Sequence, residues 1–295
     1  VRRLIIPVFI PNLGCPHRCI FCDQRPITGA PASLPTAEDI GRVAATYLAS
    51  AKAKKLPRQL AFYGGTFTLL PEGDQERLLE AGGRFIARGQ IDSLRLSTRP
   101  DAIDPTCLAR LKACGVRTVE LGAQSFDDAV LRAAHRGHSA AETLSAARLI
   151  KQAGLLELGL QLMCGLPGET RESFLASCRA AADLEPDLIR LYPTLVLAGT
   201  PLASLWRRGS FRPLSLEEAV ERCRLALDIF TAKGIPVARA GLPASSDLER
   251  ALLAGPYHPA FGQLVRSAAW LERLRSRLAG HGPGRLVLEV AAQDL

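Results

Sequence analysis

Short runs rich in apolar and β-branched residues recur at 4–10, 59–63, 93–97, 116–121, 155–163 and 188–191. Between and after them lie longer stretches whose apolar residues return every three or four positions: 36–55, 74–88, 105–113, 127–135, 140–153, 171–182 and 216–233. The first pattern is that of buried strands and the second that of amphipathic helices. Their alternation predicts an α/β fold with a parallel sheet and helices outside it. Right-handed crossovers coil such units in one direction, so six of them predict most of a barrel, a partial TIM-like (β/α)6 arrangement. Ser139 with Glu142 and Ser215 with Glu218 fit the helix capping box, and Thr36 with Asp39 is a looser version. Capping accounts for these residues, and no function is assigned to them.

Past residue 240 the alternation weakens. Residues 248–253 and 264–278 read as helical and 285–290 as a short strand. We expect residues 1–240 to form the core and 241–295 a C-terminal extension packed on the barrel. In a barrel of this kind the site forms at the C-terminal strand ends. Cys15 follows the first strand, Gly64, Gly65 and Thr66 the second, and Ser97 to Asp101 end the third. Gln124 and Ser125 follow the fourth, and the Gly-Leu-Pro-Gly at 165–168 follows the fifth.

Composition narrows the class. Of 295 residues, 47% are hydrophobic and 22% charged, which excludes a disordered, collagenous or coiled-coil chain. No apolar run approaches the roughly 18–20 residues of a membrane helix. Arg2 and Arg3 ahead of an apolar run mimic a signal peptide, but Pro7 and Pro11 interrupt it and no small-residue cleavage site follows. A cytoplasmic protein with no membrane partner is expected. The net charge of +8 favours an anionic partner.

Three of the eight cysteines, Cys15, Cys19 and Cys22, fall in one C-x-x-x-C-x-x-C segment. The other five (Cys107, Cys114, Cys164, Cys178, Cys223) read as small buried hydrophobes. Soft thiolates select zinc, Cu(I) or iron–sulfur clusters. A closed zinc site takes four ligands; His17 is a candidate fourth, but it sits too close in sequence to Cys15 and Cys19 for easy tetrahedral closure. Three thiolates suit a four-iron cluster with one iron left open to a small chelate. Arg18 and Arg25 flank the segment and would offset part of its charge.

With Phe21 ahead of the last cysteine and a strand ahead of the first, this segment resembles that of the radical S-adenosylmethionine (SAM) superfamily. The resemblance implies a [4Fe-4S] cluster whose open iron chelates SAM, and an electron donor such as flavodoxin or ferredoxin. It further implies reductive cleavage of SAM to a 5′-deoxyadenosyl radical that takes a hydrogen from the substrate. FYGGTFTLLP (62–71), STRPDAID (97–104), VELGAQSFDDAVL (119–131), RGH (136–138), CGLPGET (164–170) and YPTLVLAGTPLASLWRRGSFRPLS (192–215) resemble the radical SAM core of the Elongator catalytic subunit. The YPTLV stretch is the most family-specific; the rest is shared with broader relatives such as oxygen-independent coproporphyrinogen oxidase.

By this resemblance Gly64, Gly65 and Thr66 meet the SAM amino group, although a double glycine alone reads as a tight turn. Gln124 takes the ribose hydroxyls and Arg136 the carboxylate; without the resemblance Arg136 reads as a solvated helix end. Gln161 stands at a position often acidic in relatives, and Met163 at one that packs adenine or is plain core. Ser97 departs from relatives that carry Glu. The length leaves no room for the acetyltransferase domain that follows this core in the Elongator subunit, so its acetyl-CoA route is not expected here. Tyr257 and His258 read as packing in a Pro/Gly turn rather than as pocket residues.

The charge and the resemblance together point to tRNA as partner. Trp206, Arg207, Arg208, Phe211 and Arg212 interleave aromatic and basic side chains, and Lys52, Lys54, Lys55 and Arg58 form a second basic run; both also fit solvated helix ends. The alternatives are a radical SAM enzyme acting on a small molecule or peptide, and a cluster- or zinc-binding protein without turnover.

Overall fold

The computed structural model describes residues 3–29, 33–50, 56–154 and 156–279. Lys52, Lys54, Lys55, the strand expected at 285–290 and the side chain of Arg25 lie outside the described residues. The elements run β1 (Leu4–Phe9), α1 (Gln24–Thr28), α2 (Ala37–Leu48), β2 (Arg58–Tyr63), α3 (Glu72–Ala87), β3 (Ser93–Thr98) and α4 (Pro105–Ala113). They continue with β4 (Val116–Gln124), α5 (Asp128–Ala133), α6 (Ala140–Gln152), β5 (Glu157–Cys164), α7 (Arg171–Asp183), β6 (Leu188–Pro193) and β7 (Val196–Leu197). The last are α8 (Pro201–Arg207), α9 (Leu216–Ala232), β8 (Val237–Ala240), α10 (Ser246–Ala251), β9 (Leu252–Ala254) and α11 (Phe261–Leu278). Among the described residues, no helix is long and apolar enough to cross a membrane.

The main sheet is wholly parallel, ordered β1-β2-β3-β4-β5-β6-β8, and curls into a partial barrel. All six expected strands are present. The seventh, β8, pairs with β6 by setting Val237 against Ile189 and Arg239 against Arg190. It escaped the sequence pattern because V-A-R-A is short and two of its four residues are exposed. The helix expected over 248–253 stops at Ala251. Leu252 to Ala254 instead pair antiparallel with β7, Leu252 lying opposite Leu197.

Side chains alternate across each strand. Leu60, Phe62, Leu94, Leu96, Val119, Leu121, Leu158, Leu160, Leu162, Ile189 and Leu191 belong to the main apolar core between sheet and helices. Burying such a side chain contributes about 1.5–3 kcal/mol. Close packing reaches the backbone at Gly82 of α3, where a Cβ would lie 2.7 Å from Leu94 Cδ2. The three capping boxes form as expected, each Ser or Thr hydroxyl accepting from the backbone N–H three residues on; Thr170 with Ser173 adds a fourth.

The intervening strand residues face the lumen and are largely polar. Glu120, fully buried, accepts from Arg95 Nη1 (2.7 Å), Arg190 Nε (2.7 Å), Gln161 Nε2 (2.9 Å) and the Tyr63 hydroxyl (3.1 Å). Gly159, paired with Glu120 on β5, makes the space: a Cβ there would lie 2.7 Å from Glu120 Cγ. Burial pushes the Glu120 carboxyl up, but Arg190 and Arg95 outweigh it and hold the group below the usual carboxylate range. Gln59 holds the far side of Arg95 through its Oε1 at 3.0 and 2.8 Å.

Glu120→Gln would leave two buried guanidiniums without their carboxylate. The expected loss is about 3–5 kcal/mol of folding stability, read from urea unfolding midpoints. A loss within about 0.5 kcal/mol, the range of ordinary surface substitutions, would mean that water screens the lumen.

Candidate functional site

The cysteine segment leaves β1 and crosses the C-terminal ends of β1 and β2. Ile10 N–H donates to Tyr63 O (2.8 Å) and Thr66 N–H to Leu13 O (2.8 Å), so the segment lies on the turn after β2. Gln24 locks its two ends. Its Oε1 accepts from the N–H groups of Asn12 (2.6 Å) and Gly65 (2.7 Å), while its own N–H donates to Asn12 Oδ1 (3.1 Å). Gly65 has φ +59°, and a Cβ there would sit 2.2 Å from Leu13 O, so glycine is required by conformation and by space.

Each of the three sulfurs has one polar neighbour. Cys15 Sγ lies 3.4 Å from Thr66 Oγ1, Cys22 Sγ accepts from Asn12 Nδ2 at 3.6 Å, and Cys19 Sγ accepts from Arg136 Nη1 at 3.0 Å. Burial and then the neighbouring Cys19 and Cys15 push the Cys22 thiol up to about 12; burial also raises Cys15. A metal centre here must therefore displace protons as it binds. Arg18 is exposed, and the cations that act on these sulfurs are Arg136 and Arg99. Arg99 is itself held by Asp101 through two hydrogen bonds of 2.9 and 2.8 Å.

Arg136 is only 7% exposed, which overturns its reading as a solvated helix end. The β4 ladder shifts register between Leu121 and Gln124, and the Ala123 carbonyl there accepts from Ser125 N–H (2.8 Å). Arg136 Nη2 donates to Gly122 O at 2.6 Å, and His138 Nε2 lies 3.3 Å from Ala123 O. Burial, then Arg136 and Arg99, lower His138 to about 4, so its ring is neutral and Nε2–H is the donor. Gln124 follows in the left-handed region at φ +65°. Gln124 Oε1 and Arg136 Nε are buried without a hydrogen-bond partner among the described residues. Gly137, between Arg136 and His138, lies against His17: a Cβ there would be 2.2 Å from the His17 ring. Among the described residues, no three His, Cys, Asp or Glu side chains gather as around a single metal ion.

Met163 is nearly buried among Val130, Ala134 and Leu166, with Phe21 of the cysteine segment and Tyr192 against the same cluster. Gln161 sits one layer lower. It donates to Glu120 and, at 3.2 Å, to Ser97 Oγ, so both residues belong to the lumen network. Sequence reasoning gave no role to Glu120, Arg190, Tyr192 and His138. The signal for the first three was the polar residue at every second strand position.

Residues 9–181 match the Radical SAM superfamily and residues 186–271 its Radical_SAM C-terminal domain. The chain belongs to the radical SAM superfamily. Enzymes of the radical SAM superfamily use a [4Fe-4S] cluster and SAM. A curated relative, tRNA uridine(34) acetyltransferase of Methanocaldococcus infernus, is 36% identical over 138 residues, 46% of this chain and 26% of that protein. An uncharacterized protein of Methanocaldococcus jannaschii is 30% identical over 222 residues, 71% of this chain and 66% of its own. The chain thus spans about a quarter of the length of the acetyltransferase it matches. Among solved structures, archaeal Elp3 of M. infernus lacking its N-terminus superposes with TM-score 0.69 at 23% identity, over 92% of this chain and 63% of that one. Coproporphyrinogen III oxidase of Escherichia coli gives TM-score 0.55 at 21% identity over 79% and 54%. At these identities the superpositions show a shared fold.

Other expected residues in this radical SAM chain have structural partners. The Tyr257 hydroxyl donates to Glu249 (2.9 Å) and its ring packs with Leu195, Leu197 and Leu248, while His258 Nδ1 accepts from Ala260 N–H (3.0 Å). Trp206 and Phe211 are half-buried against the cluster of Ile20 and Leu202; Arg207, Arg208 and Arg212 stay exposed. Cys164, Cys178 and Cys223 are buried as expected, but Cys107 and Cys114 are half-buried because their helix α4 lies at the surface.

Glu169, in the turn after β5, accepts from Gly165 N–H and lies 3.8 Å from Arg222. Its Oε1 has no hydrogen-bond partner among the described residues, and burial raises its carboxyl to about 8. Between about pH 4.5 and 8 the folded protein keeps a proton that the unfolded chain has lost, so stability falls as pH rises through that window. Glu169→Gln should remove this component: the unfolding midpoint of the parent should drop relative to the variant from pH 4.5 to 8, and parallel curves would contradict the assignment.

Proposed function

We propose that Cys15, Cys19 and Cys22 hold a [4Fe-4S] cluster, that SAM lies across the rim beside it, and that the enzyme modifies tRNA. The observation that carries the site is Arg136 buried against the cysteine segment: its Nη1 reaches Cys19 and, among the described residues, its Nε has no hydrogen-bond partner. A guanidinium so placed suits a carboxylate. Gln124 Oε1 offers an acceptor to a ribose hydroxyl, Met163 and Phe21 an apolar wall to adenine, and Gly64, Gly65 and Thr66 their backbone to the amino group. Gln161 joins this site to the lumen below. Bound there, cluster and SAM would supply the family's reductive radical chemistry. The protein's own residues orient SAM, neutralise its carboxylate and exclude water. Residues 1–240 carry this chemistry, and the described part of 241–295, up to residue 279, forms the extension. We place the enzyme in the cytoplasm with flavodoxin or ferredoxin as electron donor.

The tRNA reading draws on the curated relatives, three of which are tRNA uridine(34) acetyltransferases. The net charge of +8 and the exposed Arg207, Arg208 and Arg212 support it.

Cys15→Ala should lose the brown colour and bound iron of anaerobic material while its unfolding midpoint stays near the parent's. Arg136→Ala should keep the cluster yet bind SAM at least about tenfold more weakly, the size of one charge-assisted contact; unchanged affinity would remove Arg136 from the SAM site. Bulk tRNA should be retained at low salt and released steeply as salt rises. Absence of retention at low salt would direct the chemistry to a small molecule or peptide.

A further inference from the structure

The barrel lumen carries more positive charge than its own residues neutralise. Arg95 and Arg190 have side chains only 4% and 11% exposed, and both pair with the fully buried Glu120. Two guanidiniums against one carboxylate leave one buried positive charge in excess. Arg95 is closed in by Gln59; Arg190, whose Nη2 also donates to the Tyr63 hydroxyl (2.6 Å), stands on β6 beside the edge strand β8. Next to it on the edge strand β8 is Arg239, exposed, with its Nε on Gly241 O (3.0 Å) and no carboxylate within ion-pair distance among the described residues. Tyr192, two residues beyond Arg190 on the same face, feels both cations and packs against Met163.

Burying an unbalanced cation is costly. The arrangement becomes favourable once a ligand supplies the missing negative charge. Guanidinium forks suit oxyanions, which they bind through paired N–H donors. We propose that Arg190, Arg239 and Tyr192 form a phosphate subsite at the open β8 edge of the lumen, taking the phosphate of a nucleotide whose base and sugar lie toward Met163 and the cysteine rim. The excess charge argues for the anion; its identity as a nucleotide phosphate rests on the tRNA reading. A phosphate seated here ties the substrate to the barrel while Tyr192 spans the distance to the SAM wall. A neutral nucleoside has nothing to offer this subsite.

Equilibrium dialysis of the full, cluster-loaded chain against inorganic phosphate, acetate, uridine and uridine 5′-monophosphate tests the subsite. The monophosphate should bind at least about tenfold more tightly than uridine, the gain of one charge-assisted contact. Arg239→Gln should erase that gain and Arg239→Glu should abolish phosphate binding, both with the parent's unfolding midpoint because Arg239 is exposed. Equal binding of uridine and its monophosphate, acetate binding as tight as phosphate, or binding indifferent to Arg239 would overturn the proposal. Arg239-dependent phosphate binding in a protein that does not retain tRNA supports the subsite and overturns the RNA reading. Retained tRNA with phosphate binding indifferent to Arg239 does the reverse.

Discussion

The carboxylate of Glu120 gathers four donors from four other strands, and the inside of the barrel is organised around it. Tyr63 reaches it from β2, Arg95 from β3, Gln161 from β5 and Arg190 from β6. Such a group is tolerated in a dry interior only when its lone pairs are taken and its charge is matched. Matching here overshoots, because two guanidiniums answer one acid. The network fixes the direction of Gln161, which in turn holds Ser97, and it leaves Arg190 poised at the sheet edge beside Arg239.

The rim above is built by a different device. Parallel strands end in turns whose backbone groups have no ladder partners, and neighbouring loops supply them. Gln24 and Asn12 close the cysteine segment onto the β2 turn, while Arg136 and His138 reach the Gly122 and Ala123 carbonyls at the irregular end of β4. The left-handed Gln124 follows directly from that irregularity. Arg136 thereby links two jobs: one nitrogen holds the β4 backbone and another meets a cysteine sulfur. The glycines of the rim serve close approach as much as turning. Gly65 admits the carbonyl of Leu13, and Gly137 admits the ring of His17.

The outward strand face, the helices and the cysteine spacing were legible in the chain because each rests on local periodicity or short separation. Leu94 and Leu96 announce a buried strand, and Ser139 with Glu142 announces a helix start, whatever surrounds them. The short β8 carried no such pattern, since its strand state comes from pairing with β6. Likewise residues 252 and 253 read as helix until pairing with β7 decided otherwise. Trp206 and Phe211 looked free to stack a base, and only the fold half-buried them against Ile20 and Leu202.

The sequence by itself determined that β and α units alternate, that three thiols share one short segment, and that base exceeds acid by 37 to 29. These are properties of neighbours along the chain. Tertiary structure alone decided where the excess charge lies, that Arg136 is buried against Cys19 rather than solvated, and that Glu120 serves two arginines 25 and 70 residues away. Such partnerships arise only when curling of the sheet points alternate side chains of separate strands into one volume, and no spacing along the chain encodes that convergence.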